Sequence, residues 1–321
     1  MKILVTGCAG FIGFHLTKKL CEFKKYRVYG IDNLNTYYDL KLKKDRLKIL
    51  QRNKLFKFFK IDISNNKKIS ENFSSNKYDI VIHLAAQAGV RYSITNPETY
   101  IRSNLIGFYN VIENSKKIKI KHFIFASSSS VYGDQKRMPF KEEYKCERPL
   151  SFYAATKISN ENLAFSYSNI FDLNCTGLRL FTVYGPYGRP DMALYKFTTA
   201  IFQNKKIELF NNGIHSRDFT YIDDAVNAIF KIVESPKLKK LNFEILNIAS
   251  GKKIKLLKFL EVLEKEIGIN AKIKKIKIQK GDVLNTFANI SKLSKIISYK
   301  PSSSLESGIK NYIDWYKSYY L

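Results

Sequence analysis

Lys2-Ile3-Leu4-Val5-Thr6-Gly7-Cys8-Ala9-Gly10-Phe11-Ile12-Gly13 opens the chain, and its reading decides the fold. Lys2–Thr6 has the apolar texture of a buried strand, and Phe11–Lys24 has the spacing of an amphipathic helix. Between them, Gly7, Gly10 and Gly13 let the backbone turn tightly, let a pyrophosphate approach it, and let helix pack close to strand. The helix start, at Phe11 and Ile12, offers free N–H groups and the positive end of the helix dipole to phosphates. A second strand, Arg27–Ile31, runs into Asp32, 19 residues beyond Gly13. An acid there accepts hydrogen bonds from an adenosine ribose and repels a 2′-phosphate, which predicts NAD rather than NADP. Asn33 and Asn35 follow in a loop able to add contacts.

Further along, apolar strands keep alternating with amphipathic stretches. Lys57–Ile61 comes after a long polar segment, then Asp79–Ala85, His122–Ser127, Asn174–Arg179 and Phe243–Ile248. This alternation predicts an α/β fold, a doubly wound parallel sheet of the Rossmann kind. Asp62 and Ile63 at the end of the third strand, and Leu84-Ala85-Ala86-Gln87 at the end of the fourth, fall in the same cofactor groove. From about Leu180 the loops become rich in Gly, Pro, Tyr and Arg. We therefore expect a dinucleotide-binding domain over 1–180, completed by segments near 218–249, and a smaller substrate-binding domain over most of 181–321.

The 321 residues carry a formal charge of +27, with 45% hydrophobic and 26% charged residues, as in ordinary globular proteins. Only ten of the 55 basic residues are Arg, the residue expected where bases or phosphates are gripped bidentately. The charge thus reads as solvated lysine surface, and nucleic acid is not an expected partner. No apolar stretch approaches membrane-spanning length, and no secretory pattern opens the chain, which reads as cytoplasmic. The four cysteines form no Cys-x-x-Cys pair and the four histidines stand apart, so neither a metal site nor a dithiol is expected.

Tyr153-Ala154-Ala155-Thr156-Lys157 lies in a helix predicted to begin near Ser151. The i, i+4 spacing puts phenol and ammonium on one face. A cation there, with the charge of a nicotinamide ring, is expected to lower the Tyr153 pKa towards working pH. The run Ser127-Ser128-Ser129-Ser130-Val131-Tyr132-Gly133 ends the fifth strand. Ser128, 25 residues before Tyr153, can share the same substrate hydroxyl.

With Arg217-Asp218-Phe219-Thr220-Tyr221-Ile222-Asp223-Asp224, these motifs resemble the extended short-chain dehydrogenase/reductases that act on nucleotide sugars. The stretches Gln87-Ala88-Gly89-Val90-Arg91-Tyr92-Ser93 and Thr182 to Ala193 are similar to signatures of the UDP-glucuronate 4-epimerases among them. The resemblance covers nearly the whole chain. It implies that Tyr153 removes the proton of the sugar 4-OH while NAD takes hydride from C4, and that the 4-keto sugar turns over before hydride returns to its other face. It implies that Lys157 holds the nicotinamide ribose, that Asn104 belongs to the cofactor site, and that the substrate meets Arg91, Ser128, Ser129, Ser130, Thr182, Arg189, Arg217, Gln279 and Asp282. Thr182 and Arg189 match positions bearing on the uronate carboxylate; Arg217 and Asp282 match contacts to the diphosphate and the nucleoside ribose. A homodimer is implied too, packed through helices of the dinucleotide domain; the apolar Phe108, Val111, Ile112, Leu163, Phe165 and Tyr167 suit that face, and burial in the core accounts for them equally well.

Two sister activities lack their residues. Dehydratases of this group carry Asp-Glu after the catalytic hydroxyl, and decarboxylases carry Glu at the position of Ser130; here Ser129 and Ser130 supply no carboxylate. The expectation is a UDP-glucuronate/UDP-galacturonate 4-epimerase. The alternatives are a 4-epimerase of another UDP-sugar, which the small Thr286 leaves open for N-acetylated substrates, and a non-catalytic NAD-binding protein.

Overall fold

The computed structural model describes residues 1–238, 241–277 and 284–321. Seven strands form one sheet in the order Phe243–Ile248, Cys175–Leu180, His122–Ser128, Ile80–His83, Lys2–Thr6, Arg27–Asp32, Phe56–Lys60. Every neighbouring pair is parallel. The strand order reverses beside Lys2–Thr6, so the crevice at the C-terminal ends of the strands opens there.

The glycine turn meets the geometry expected of it. Gly7 has φ of +73°, and a Cβ on Gly13 would lie 2.1 Å from the Gly7 carbonyl oxygen. The helix stops earlier than expected, at Leu20, because the chain must turn for Arg27 N–H to reach Met1 O, 2.9 Å away. The fourth strand is likewise shorter, Ile80–His83. Asp79 pairs instead with Lys121, and Leu84 to Gln87 leave the ladder to line the crevice.

The long polar segment after Asp32 contains a helix, Leu40–Gln51, capped by Asp39, whose carboxylate accepts from Lys41 N–H at 2.8 Å. Its inner face buries Leu42, Leu47 and Leu50, but also Lys43 and Arg46. The Arg46 guanidinium donates to Ala9 O (2.9 Å) on the glycine turn and to Tyr187 O (2.6 Å) in the 181–192 loop region. It thereby ties the two walls of the crevice together.

Apolar side chains fill both faces of the sheet. On one face the core continues into the second part of the chain, where three two-stranded sheets and the helices Ala193–Phe202, Leu256–Ile267 and Leu305–Tyr320 gather. Of the two accounts open for Phe108, Val111 and Ile112, dimer face or core, the structure shows core: they are at most 1% exposed beneath the sheet. Their helix turns Tyr109 outward, and the next long helix exposes Phe165. The last helix lays Trp315 against Tyr187, ring centroids 5.0 Å apart. Among the described residues, no helix is long and apolar enough to cross a membrane.

Candidate active site

A cavity of about 430 Å³ occupies the crevice, with the glycine turn at one end and Arg217 and Thr286 at the other. Gly7, Gly10, Phe11, Ile12 and Gly13 form its floor. A Cβ on Gly7 would meet the Ala85 backbone at 2.8 Å, so the two walls close in until only bare backbone fits. Asp32, Asn33, Asn35, Ile63, Leu84, Ala85, Ala86 and Gln87 line the same end.

Asp32 is 9% exposed, and it accepts from Ala9 N–H (3.2 Å) and Leu34 N–H (2.8 Å). Burial raises its pKa; the Leu34 hydrogen bond and the nearby Lys43 charge oppose that rise. Lys43 donates to Asn35 O (2.8 Å) and Asn35 Oδ1 (2.6 Å), and burial brings its pKa down to about 8.

Two expected cofactor residues, Asp62 and Asn104, are not among those lining the cavity but bond to residues that do. The Asp62 carboxylate accepts from Asn33 Nδ2 at 3.0 Å. Asn104 accepts from Gln87 N–H (2.8 Å) and donates to Gln87 O (3.0 Å), filling in for a missing strand neighbour. Arg91 lies off the cavity, its guanidinium 4.2 Å from the centroid of the Phe210 ring. Gln279 and Asp282 lie outside the described residues.

Ser128, Ser129, Ser130, Tyr153 and Lys157 meet in the middle of the cavity. The strand His122–Ser128 delivers the serines. The helix Phe152–Phe171, capped by Ser151 Oγ accepting from Ala154 N–H at 3.1 Å, delivers the tyrosine and lysine. Ser128 Oγ accepts from Ser130 N–H (3.2 Å) and Ser130 Oγ–H (2.9 Å). Lys157 Nζ donates to Ala126 O at 2.8 Å and stands 6.0 Å from the Tyr153 ring centroid.

The expected fall in the Tyr153 pKa is not what the protein alone produces. Burial raises it, and the Ser128 hydrogen bond and the Arg189 charge only moderate the rise. Lys157 is itself lowered to about 8 by burial, with Glu161 opposing. Glu161 was not foreseen. It accepts from Ser127 Oγ at 2.5 Å and from Arg179 through both carboxylate oxygens (3.0 and 2.8 Å), behind the serine run.

Thr182, Arg189, Arg217 and Thr286 complete the far end. Arg217 Nη1 donates to Ser216 O and Leu284 O, both at 3.0 Å. Arg189 forks onto Asp191, Nε to Oδ1 at 3.0 Å and Nη2 to Oδ2 at 2.5 Å; Tyr37 Oη donates to the same Oδ2 at 3.1 Å. Tyr37, Tyr38, Lys43 and Met192 also line the cavity, and the sequence alone did not single them out. The arrangement can hold a dinucleotide at the glycine end. It sets a phenol, a serine hydroxyl and an ammonium at the centre and two guanidinium groups beyond.

A family model described as "NAD dependent epimerase/dehydratase family" matches residues 3–249. Protein CapI of Staphylococcus aureus is 44% identical, over 100% of this chain and 99% of its own length. A UDP-glucuronate 4-epimerase of Thermodesulfobacterium geofontis is 42% identical, over 98% and 95%. The crystal structure of UDP-glucuronic acid 4-epimerase from Bacillus cereus, in complex with UDP-glucuronic acid and NAD, superposes with a TM-score of 0.93 at 37% identity, covering 100% of both chains. The glycine turn against Ala85, the Ser128/Tyr153/Lys157 centre and these likenesses agree: the chain belongs to the NAD-dependent epimerase/dehydratase family.

Proposed function

We propose that this protein is a UDP-sugar 4-epimerase with resident NAD, interconverting UDP-glucuronate and UDP-galacturonate through a 4-keto intermediate. The observation that carries it is the pairing of a Tyr153/Ser128/Lys157 centre with Arg189 and Thr182 in one cavity, with serines and no carboxylate at 129 and 130. The B. cereus and T. geofontis proteins, named for this reaction, support the substrate.

NAD fits the glycine end, because the backbone cradle admits no side chain and Asp32 faces it with a carboxylate. Bound there, its nicotinamide supplies the hydride chemistry at C4. Tyr153 takes the 4-OH proton, and Ser128 shares that oxygen through a hydrogen bond. Lys157, fixed by Ala126 O, favours the phenolate and holds the nicotinamide ribose. Arg217 grips the UDP moiety, together with Gln279 and Asp282, which lie outside the described residues. Ser129, Ser130, Thr182 and Arg189 meet the sugar and its carboxylate.

Asp62, Asn104 and Arg91 enter this reading as supports of the pocket, the first two by holding Asn33 and Gln87. A homodimer is part of the reading, with the exposed Tyr109 and Phe165 in place of the buried Phe108, Val111 and Ile112. The four free thiols support a reducing, cytoplasmic setting. Purified protein is incubated with a panel of UDP-sugars without added NAD, and epimers are resolved by proton NMR. Conversion of UDP-glucuronate is expected; conversion of neutral sugars alone would transfer the assignment to another UDP-sugar 4-epimerase.

A further inference from the structure

Arg189 does not wait for a substrate carboxylate as a bare cation. Its Nε/Nη2 edge is forked onto Asp191, and Tyr37 Oη holds the Asp191 oxygen from the opposite wall. The two partners are 22% and 26% exposed in their side chains, so water screens the pair only in part. Asp191 is held below its ordinary pKa by the Arg189 charge and by hydrogen bonds from Arg189 and Tyr37, burial notwithstanding. It therefore stays ionised wherever the enzyme works.

A guanidinium presents two bidentate faces, and Asp191 uses one. What remains for a substrate is the Nη1 side, with most of the positive charge already compensated. This matters because of the proposed chemistry. The 4-keto sugar must turn over inside the pocket, and its carboxylate moves with the ring. A free guanidinium would clamp that carboxylate as a full ion pair and hold the ring in one pose. A guanidinium already paired gives a directional hydrogen bond that yields when the ring turns.

We infer that Asp191 is a positioning residue that sets the substrate specificity of this site: by occupying one edge of Arg189 it weakens the grip on a uronate carboxylate enough for the sugar ring to rotate. The inference rests on the uronate reading above. Its prediction runs against the usual effect of damaging a binding loop, since neutralising Asp191 tightens the substrate and slows turnover.

Binding is measured by calorimetry with NAD-loaded protein in a Tyr153→Phe background, which stops turnover, and kcat in the background with Tyr153 intact. Asp191→Asn should lower the Kd of UDP-glucuronate by roughly tenfold, the effect of about 1.4 kcal/mol, leave that of UDP-glucose unchanged, and reduce kcat by a similar factor. Asp191→Ser should act in the same direction, and serves if the Asn variant does not fold. Asp191→Glu, which restores the charge, should return the Kd to within about twofold of the parent. Equal weakening of both ligands in the neutral variants would show that Asp191 only props the loop, and would overturn the inference. A parent protein that binds UDP-glucuronate no better than UDP-glucose would sink the uronate reading itself, and this inference with it.

Discussion

Lys157 donates from Nζ to the backbone carbonyl of Ala126, 2.8 Å away, two residues before the serine that bonds Tyr153. One helix residue thus fixes both the strand end and the charge beneath the phenol. Because burial brings Lys157 down to about 8, it loses its proton close to working pH. The base must be deprotonated and this lysine protonated; with Tyr153 raised above its ordinary value, kcat/KM should rise with pH up to about 8 and then level off, because further phenolate forms only as ammonium is lost. Lys157→Arg, which cannot deprotonate, should retain part of the activity and keep rising above about pH 8 instead of levelling off; a profile unchanged in shape would remove Lys157 from the titration.

Arg189→Ala should impair UDP-glucuronate far more than UDP-glucose. Loss of a charge-assisted bond to the carboxylate costs about 1.5–3 kcal/mol, or roughly ten- to a hundredfold in kcat/KM. A 4-keto uronate is a β-keto acid, so a carboxylate left unheld should also release carbon dioxide and UDP-pentose. Product analysis by chromatography reads both effects. Equal impairment of the two substrates would argue that Arg189 serves the loop alone.

Cofactor choice should follow Asp32. Protein denatured after purification should release NAD and not NADP. Asp32→Ser should weaken NAD by roughly ten- to a hundredfold, as charged hydrogen bonds to the ribose are lost. It should also bring the NADP affinity nearer to that of NAD, because Lys43 and Arg46 lie close enough to influence the Asp32 carboxylate. Titration of apoprotein with each cofactor checks this; a preference unmoved by Asp32→Ser would place the discrimination elsewhere.

Two histidines should make the fold acid-sensitive. Burial lowers His15 from 6.5 to about 4 and His83 to about 3, so both are neutral in the folded chain while the unfolded chain protonates near 6.5. Their folded pKa values lie below the unfolded ones, so stability is complete above pH 6.5 and falls as pH drops towards 4. Each contributes a slope of about 1.4 kcal/mol per pH unit in that window. His15 Nε2 lies 2.9 Å from Pro186 O, a bond that Gln can replace without titrating. His15→Gln should therefore keep the stability at neutral pH and flatten the slope by about half. Denaturant midpoints across this range measure it.

The dinucleotide end was legible because its signal is local. Gly7 to Gly13 and the following Asp32 are spaced by backbone geometry, and the i, i+4 pair Tyr153/Lys157 is spaced by the helix itself. What escaped depends on tertiary partners. The helix Leu40–Gln51 reads as polar because two of its inward positions are Lys43 and Arg46, whose heads hydrogen-bond to Asn35, Ala9 and Tyr187. Glu161 and Asp191 look like surface charges until Arg179 and Arg189 fold onto them. The helix that buries Phe108 reads equally as dimer face or core because its apolar stripe is broad, and only the sheet position tells which side is inward. The burial that raises Tyr153 in the protein alone escaped for a related reason: the spacing reveals the neighbouring charge but not the depth of burial.

With one tryptophan in 321 residues, the chain has a built-in optical gauge. Trp315 rests on Tyr187, whose carbonyl is bound by Arg46 and whose loop carries Arg189 two residues later. Emission from the native protein therefore reports on the seam between that loop and the last helix, where Trp315 also meets Tyr312, Tyr316, Tyr319 and Tyr320, without a label and against no competing indole. A shift in its colour or lifetime on filling either end of the crevice times the loop's movement in the intact enzyme, separately from the appearance of product.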